Sequence, residues 1–382
     1  MGDDRIRRFG RMDNQSLEGN KVGCPTLKEL PPPPAGRTGW PWTEESPPLP
    51  ESMPDGRPWP RVSVVTPSYN QGRFIEETIR SVLLQGYPNL EYLILDGGSS
   101  DGSVDIIRRY EPWLSFWVSE PDRGQADAIN KGWKRASGEF VTWLNSDDLL
   151  LPSSLERTVS ALAREDRVQL VYGDALLIDA ESRPYPVPFD RFRGRPLDLE
   201  DVILSWRSPV PQQGFLMRRS VLDQIGYLDE GFQFSMDFEY WLRLALAGGQ
   251  SEYLSCTLAA FRRHGETKTH TMAQRRIREN YAIYDQTFSR QLPRQLQEKA
   301  KVSRASLHLQ AAYVSYLAGN VSGMWRYALC HIRQSGLRSS PRAWLFLIIS
   351  LGGDRFVSAL RESWRAFRVF WARRSAEVRP DA

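Results

Sequence analysis

The sequence predicts an α/β fold: a mostly parallel sheet flanked by helices, with a C-terminal helical extension. Two observations carry this. Between residue 61 and about residue 150, short apolar runs rich in β-branched and aromatic residues alternate with segments whose apolar residues recur at helical spacing, the pattern of right-handed βαβ units. From about residue 275 onward only helical spacing is left. At 382 residues the chain has room for one large α/β domain with extra segments, or for two domains.

Residues 1–60 are rich in Pro, Gly and charge, with consecutive prolines at 31–34. Such composition buries too little apolar surface to offset the entropy of ordering it. The expectation is a Pro-rich extension, disordered at first, then extended and pinned by Trp40, Trp42 and Trp59. The α/β domain is expected over 61–270. Its first strand is Val62–Thr66, followed by a loop, Pro67–Gly72, and a helix marked by Phe74, Ile75, Ile79, Val82 and Leu83. A second strand, Leu90–Leu95, ends at Asp96–Ser103 ahead of a helix over Val104–Arg109. A third, Leu114–Val118, leads through Glu120–Gln125 into a helix over Ala126–Arg135. The fourth, Phe140–Leu144, stops abruptly at Asn145, Ser146, Asp147 and Asp148.

Beyond it the pattern is less regular. A helix over Ser153–Arg164 precedes a strand at Leu170–Tyr172, and the proline-punctuated stretch Arg183–Pro196 reads as irregular loop. Pro211–Arg219 reads as a strand with Gln212 and Gln213 at its start, Phe238–Ala247 as a helix with Asp237 at its N-cap, and Tyr253–Phe261 as a closing strand.

Residues 271–382 form the basic helical region. Positions 291–382 hold 15 Lys/Arg against 5 Asp/Glu, whereas the whole chain carries only +4. Phe356, Leu360, Trp364, Phe367 and Trp371 make one apolar stripe, with Arg355, Arg361, Arg365 and Arg368 largely off it. Such a helix suits an anionic membrane surface, and it equally suits packing on the domain or on a second subunit. No nucleic-acid recognition motif accompanies the charge, so nucleic acid is not an expected partner. Cys24, Cys256 and Cys330 are scattered and odd in number, which argues against a disulfide framework and for a reducing compartment. The N-terminus lacks the apolar core of a signal peptide, and the longest apolar run, Ala343 to Leu351, is roughly half of the ~20 residues a spanning helix needs. A cytoplasmic protein is expected, peripheral on the inner face of the cytoplasmic membrane if the tail binds lipid.

In parallel sheets ligands bind at the carboxyl ends of strands. Four polar clusters share that edge: Pro67–Gly72, Asp96–Ser103, Glu120–Asp127 and Asn145–Asp148. Adjacent acids at the mouth of a core strand call for a counter-charge, and a divalent cation is the simplest one. Helix capping explains acids there too, but the shared edge favours a ligand site.

The run VSVVTPSYNQGRFIEETIRSVLLQGYPNLEYLILDGGSSDGS, followed by DRGQADAINKGWKRASGEFVTWLNSDD, resembles the family 2 glycosyltransferases, and the likeness extends more weakly through SMDFEYWLRL to about His264. The resemblance implies a GT-A fold, with its Rossmann-like sheet, and a nucleotide-diphospho-sugar donor. It places Pro67, Ser68, Tyr69, Asp96, Gln125 and Asp127 around the nucleotide, although a first-turn helix acid is an equal reading of Asp127. Asn145-Ser146-Asp147-Asp148 matches the family's DXD-type sequence with Asn in place of the first acid, so that one of Asp147 and Asp148 ligates Mg²⁺ or Mn²⁺ and the other contacts the ribose or the metal's water shell. His264 stands where some relatives reach the metal or diphosphate, and a structural role is its other reading. Asp237 matches the general base, with Met236 where relatives carry an acid, and Gln212 and Gln213 match sugar-binding positions. Gly97 replaces a second acid that contacts uracil in many relatives, which leaves thymidine and guanosine donors open.

The processive members' QxxRW signature is absent: Tyr240-Trp241-Leu242-Arg243 does not match it. The expected activity is therefore non-processive, inverting transfer to a glycan or lipid-linked glycan acceptor in surface polysaccharide biosynthesis. Two other functions remain in view. A non-catalytic nucleotide-sugar-binding or scaffold protein would not need the acids at 147, 148 and 237, and a nucleotidyltransferase would carry a Gly-rich basic loop where Thr66–Asn70 stands.

Overall fold

A computed structural model of the chain describes residues 24–186, 191–265, 272–289, 292, 294–336, 341–353, 356, 358, 359, 362 and 363. The first half alternates strictly: β1 (Val62–Ser68), α1 (Ile75–Leu83), β2 (Leu90–Asp96), α2 (Ser103–Tyr110), β3 (Phe116–Ser119), α3 (Gln125–Arg135) and β4 (Phe140–Trp143). Next come β5 (Leu149–Leu150), α4 (Ser154–Arg164), β6 (Val168–Ile178), β7 (Arg191–Phe192), α5 (Leu199–Ser205), β8 (Phe215–Arg218), α6 (Ser220–Ile225), α7 (Met236–Leu246) and β9 (Gln250–Arg262). Helices complete the described chain: α8 (Ala273–Ser289), α9 (Arg294–Glu298), α10 (Ala300–Leu317), α11 (Val321–Ser335) and α12 (Pro341–Leu351).

The strands form one sheet in the order β3-β2-β1-β4-β8-β6-β9-β5, with β7 added on β6. The β3-β2-β1-β4 half is wholly parallel, whereas β8 runs antiparallel to both β4 and β6. Period-two alternation sends neighbouring side chains to opposite faces. Val65, Leu93, Leu95, Val141 and Trp143 pack with α3 and α7 on one face. Val62, Val64, Tyr92, Ile94 and Phe140 pack with α1, α2 and α4 on the other. Burial on both faces is why these strands read as continuous apolar runs.

Several boundaries differ from the sequence reading, each for a local reason. β1 continues through Pro67 and Ser68, which pair in register with Leu95 and Asp96. β3 begins two residues late because Glu111–Trp113 forms a 3-10 turn that ends at Leu114. Gln212 and Gln213 sit in a second such turn, Gln212–Gly214, and β8 starts after it. β6 and β9 are longer than their apolar runs because they pair with each other along most of their length, through register shifts around Asp174. The stretch read as irregular, Arg183–Pro196, contains β7, and 187–190 lie outside the described residues.

Residues 24–60 lie on the α/β domain. Arg80 of α1 is fully buried and donates to the carbonyls of Pro31 (2.8 Å), Pro41 (3.0 Å) and Trp42 (3.1 Å), with Tyr110 as a fourth partner. One guanidinium thus satisfies three backbone carbonyls of the extension at once. Trp40 Nε1 donates to the Leu150 carbonyl (2.8 Å) and Trp59 Nε1 to the Pro50 carbonyl (2.9 Å). The extension thereby braces β5, just past the Asn145–Asp148 cluster.

Of the predicted C-terminal stripe, Phe356 is among the described residues and is exposed; Leu360, Trp364, Phe367, Trp371 and their flanking arginines lie outside them, as do residues 1–23. No described helix is long and apolar enough to cross a membrane.

Candidate active site

The parallel register puts the carboxyl ends of β1, β2 and β3 side by side, since Ser68 pairs with Asp96 and Asp96 with Ser119. The loops after β1 and β2 are clasped together. Asn70 N–H donates to Ser99 Oγ (2.8 Å) and its side chain accepts from Ser100 N–H (3.0 Å), while Gln71 and Gly72 N–H donate to Ser103 Oγ (3.0 Å) and Asp101 Oδ2 (2.8 Å). Asp96 organises this edge. Its carboxylate, 2% exposed, accepts from Ser99 N–H (2.9 Å), Ser99 Oγ (2.6 Å), Gly98 N–H (3.2 Å) and Ser119 Oγ (2.7 Å). Tyr69, next along the chain from Ser68, is 62% exposed. Ser68 Oγ is buried and has no hydrogen-bond partner among the described residues.

Beside β1, β4 ends at Trp143 and the chain turns, with Asp148 N–H donating to the Asn145 carbonyl (3.1 Å). Asn145 is the hub of this turn. Its Oδ1 accepts from Gln125 Nε2, and its Nδ2 donates to Asp148 Oδ2 (3.0 Å) and Gln212 Oε1 (3.0 Å). Gln212 Nε2 donates to the Trp143 carbonyl (3.1 Å), so Gln125, Asn145 and Gln212 bridge α3, the turn and the segment before β8. Gln213 Oε1 is buried and unpaired among the described residues.

The two acids of the turn have different surroundings. Asp148 is completely buried, and its Oδ1 accepts from Arg262 N–H (2.9 Å). Burial first, then the charge of Asp147, pushes its carboxyl well above the usual carboxylate range. Asp147 keeps 18% of its side chain exposed, and its Oδ2 lies 3.0 Å from His264 Nε2. β5 pairs antiparallel with β9 through Leu149–Ala260 and Leu150–Ala259, and this pairing brings His264 back across the sheet to the turn. Arg262 is directed into the interior. It is buried, donates to the Asp147 carbonyl (2.8 Å), and pairs with the buried Glu77 (2.9 Å).

Asp127 lies in the first turn of α3, where Arg123 N–H (3.0 Å), Arg123 Nη2 (2.8 Å) and Lys131 (3.3 Å) surround it. The Arg123 guanidinium is the main cause of a carboxyl held down to about 2. The helix comes close to the sheet because a Cβ at Gly132 would stand 2.4 Å from Val65 Cγ1. Gly97 lies beside another acid: Asp122 Oδ2 is 2.7 Å from where its Cβ would be.

Asp237 is not the N-cap of α7. Ser235 holds that place, and Asp237 lies in the first turn, accepting from Phe238 N–H (2.8 Å). The sequence offers two capping residues two positions apart, and the helix starts after the first. Sequence reasoning missed Glu279 of α8, which accepts from the N–H groups of Gln233 (3.0 Å), Phe234 (2.9 Å) and Ser235 (2.8 Å). One distant carboxylate thus pins the turn that leads into the helix carrying Asp237. Burial acts to raise its carboxyl, but these donors and Arg275 outweigh burial and hold it below its ordinary value.

The family model described as glycosyl transferase family 2 matches residues 63–226. An uncharacterized glycosyltransferase of Mycobacterium tuberculosis (strain H37Rv) is 32% identical over 206 residues, 53% of this chain and 75% of its own length. A putative teichuronic acid biosynthesis glycosyltransferase of Bacillus subtilis, TuaG, is 43% identical over 101 residues, 26% of this chain and 40% of its own length. Two solved structures share the fold. The mannosyltransferase PcManGT from Pyrobaculum calidifontis, in complex with GDP-Man and Mn²⁺, aligns with a TM-score of 0.51 at 20% identity, covering 80% of this chain and 88% of its own. Residues 1–349 of S. aureus TarS, in complex with UDP-GlcNAc, align with a TM-score of 0.50 at 18% identity, covering 80% and 92%. The architecture is the GT-A fold of these enzymes, and the chain belongs to glycosyl transferase family 2.

Proposed function

We propose that the protein is an inverting, non-processive transferase that moves a sugar from a nucleotide-diphospho-sugar to a lipid-linked glycan in the assembly of a surface polysaccharide. The observation that carries this reading is the pairing of Asp147 with His264 at the sheet edge that also holds two buried oxygens without a partner among the described residues, Ser68 Oγ and Gln213 Oε1. Leaving a buried polar atom unpaired costs about 1–3 kcal/mol, which hydrogen bonds from a bound donor would recover. Pro67, Ser68 and Tyr69, with the loop that Asp96 shapes, take the nucleotide. Gln125, Asn145, Gln212 and Gln213 take the sugar and diphosphate, and Asp127 fixes the start of α3 beside them. The GDP-Man and UDP-GlcNAc bound by the two structural relatives support a nucleotide-sugar donor, and the teichuronic acid relative supports a polysaccharide product.

Mg²⁺ or Mn²⁺ fits the donor set. The carboxylate oxygen of Asp147 and the imidazole nitrogen of His264 are 3.0 Å apart. Neighbouring octahedral ligands ~2.1 Å from an ion stand at about that separation. Among the described residues no three His, Cys, Asp or Glu side chains form a complete cage, so a bound ion would need donor phosphate oxygens and water as well. Asp147 and His264 would hold the ion, with Asp148 behind them fixing the turn. Bound there, it would offset the charge that develops on the departing diphosphate.

The protein's own groups do the rest. Asp237 takes the proton of the acceptor hydroxyl as that oxygen bonds to the anomeric carbon. The bond to the diphosphate oxygen breaks on the opposite face, so the configuration inverts. A panel of nucleotide sugars, each with Mn²⁺, checks the reading by thermal shift. At least one is expected to raise the melting temperature, by several degrees at concentrations far above its Kd. Silence across the panel would contradict donor binding.

Membrane attachment is part of the proposal. Leu345, Ile348 and Leu351 of α12 recur every third residue and are 53%, 62% and 76% exposed, while Ala343 and Phe346 on the other side of the helix are buried. That face lies in a region with a net charge of +10 over 291–382. Changing the three to Ser is expected to lower binding to phosphatidylglycerol vesicles about tenfold or more in a sedimentation assay. Undiminished binding would assign the face another role.

A further inference from the structure

The end of β2 is built around a contact between two residues far apart in sequence. Gly97 is the first residue after β2, and its N–H donates to the Ser68 carbonyl (2.8 Å). The space where its side chain would stand is taken by the Asp122 carboxylate: an added Cβ would be 2.7 Å from Oδ2 and 3.1 Å from Cγ. The same Cβ would be 3.3 Å from Tyr69 Cδ2, so the acid and the exposed phenol ring flank one spot. Asp122 is held in place, since its Oδ1 accepts from Gly124 N–H (2.8 Å). Its Oδ2 takes no hydrogen bond among the described residues and faces the bare backbone of Gly97. Arg123, the adjacent cation, is turned away toward Asp127 (2.8 Å) and Glu230 (2.6 Å).

A flat aromatic ring beside a fixed carboxylate suits a flat ligand with a ring N–H. The ring takes its face, and the carboxylate oxygen accepts from its edge. Among nucleobases, guanine and uracil (or thymine) present a lactam N–H on the edge that reads sequence. Adenine and cytosine present a ring-nitrogen acceptor there, which a carboxylate repels. We propose that Asp122, with Gly97 leaving room for it, is the residue that selects the donor's base, and that it selects a lactam base. The proposal rests on the nucleotide-sugar reading above and deepens it.

The test is direct binding of GDP, UDP, ADP and CDP, with Mn²⁺, to wild-type protein, Asp122→Ala and Gly97→Ala. Wild type is expected to bind GDP or UDP at least about tenfold more tightly than ADP and CDP, the discrimination typical of one charged hydrogen bond. Asp122→Ala should bring all four within about threefold of one another by weakening the preferred one. Gly97→Ala removes no polar group, yet its methyl must displace the carboxylate, so it should lose the preference in the same way. Preference kept in both variants would overturn the assignment. Equal binding of all four by the wild type would overturn it too, with the donor reading intact, and failure to bind any of them would remove both.

Discussion

An Asp237→Asn enzyme is expected to lose about 10²–10⁴-fold in kcat while binding its donor nucleotide as tightly as the wild type, because an amide cannot take the acceptor's proton. Asparagine matches aspartate in size and keeps an Oδ1 that can accept from Phe238 N–H, and Glu279 holds the three N–H groups that lead into α7. The fold and the proposed nucleotide site on β1, β2 and the 145–148 turn should therefore be undisturbed. Single-turnover transfer and nucleotide binding measured on the same preparation separate these effects. A turnover rate close to that of the wild type would remove Asp237 from the role of base.

The second large effect is expected at Asp147. Asp147→Asn should weaken binding of a nucleoside diphosphate in Mn²⁺ about 100-fold, close to 2.8 kcal/mol, and leave binding in EDTA unchanged. His264→Ala should act in the same direction, since its Nε2 stands 3.0 Å from the same carboxylate. Asp148→Asn should act differently. Both Asp148 oxygens face donors, the Arg262 N–H and the Asn145 side-chain amide, so an amide there turns a donor toward a donor. The expected result is a loss of about 1–3 kcal/mol in stability, measured by chemical denaturation.

The strands and helices of the first half were legible because burial on both faces writes itself into sequence as apolar runs closed by polar clusters. Parallel topology then put those clusters on one edge without further information. Pairings made late in the chain were not legible in this way. His264 reaches Asp147 because a two-residue strand, β5, pairs with β9, and two residues carry no periodicity to read. The role of Arg262 was not legible either, since nothing in its neighbourhood names Glu77, the acid that pairs with it from 185 positions away. Arg80 lies among the apolar positions of α1 and has the composition of a solvated residue. Its burial depends on the carbonyls of an extension whose prolines suggested disorder. Asp237 was assigned to a cap that Ser235 occupies, and Glu279, which acts on that same turn, belongs to a helix outside the recognised stretch. Composition also misses Asp122, because its contact is with the absence of a side chain at Gly97.

The most direct measurement is the uptake of Mn²⁺, read from the loss of its six-line electron paramagnetic resonance signal, as nucleoside diphosphate is added to wild-type protein and to Asp147→Asn. The wild type is expected to take up one Mn²⁺ per chain in the presence of the nucleotide, and Asp147→Asn to leave the signal as it is with nucleotide alone. Equal uptake by the two proteins would contradict a metal–diphosphate site built on Asp147.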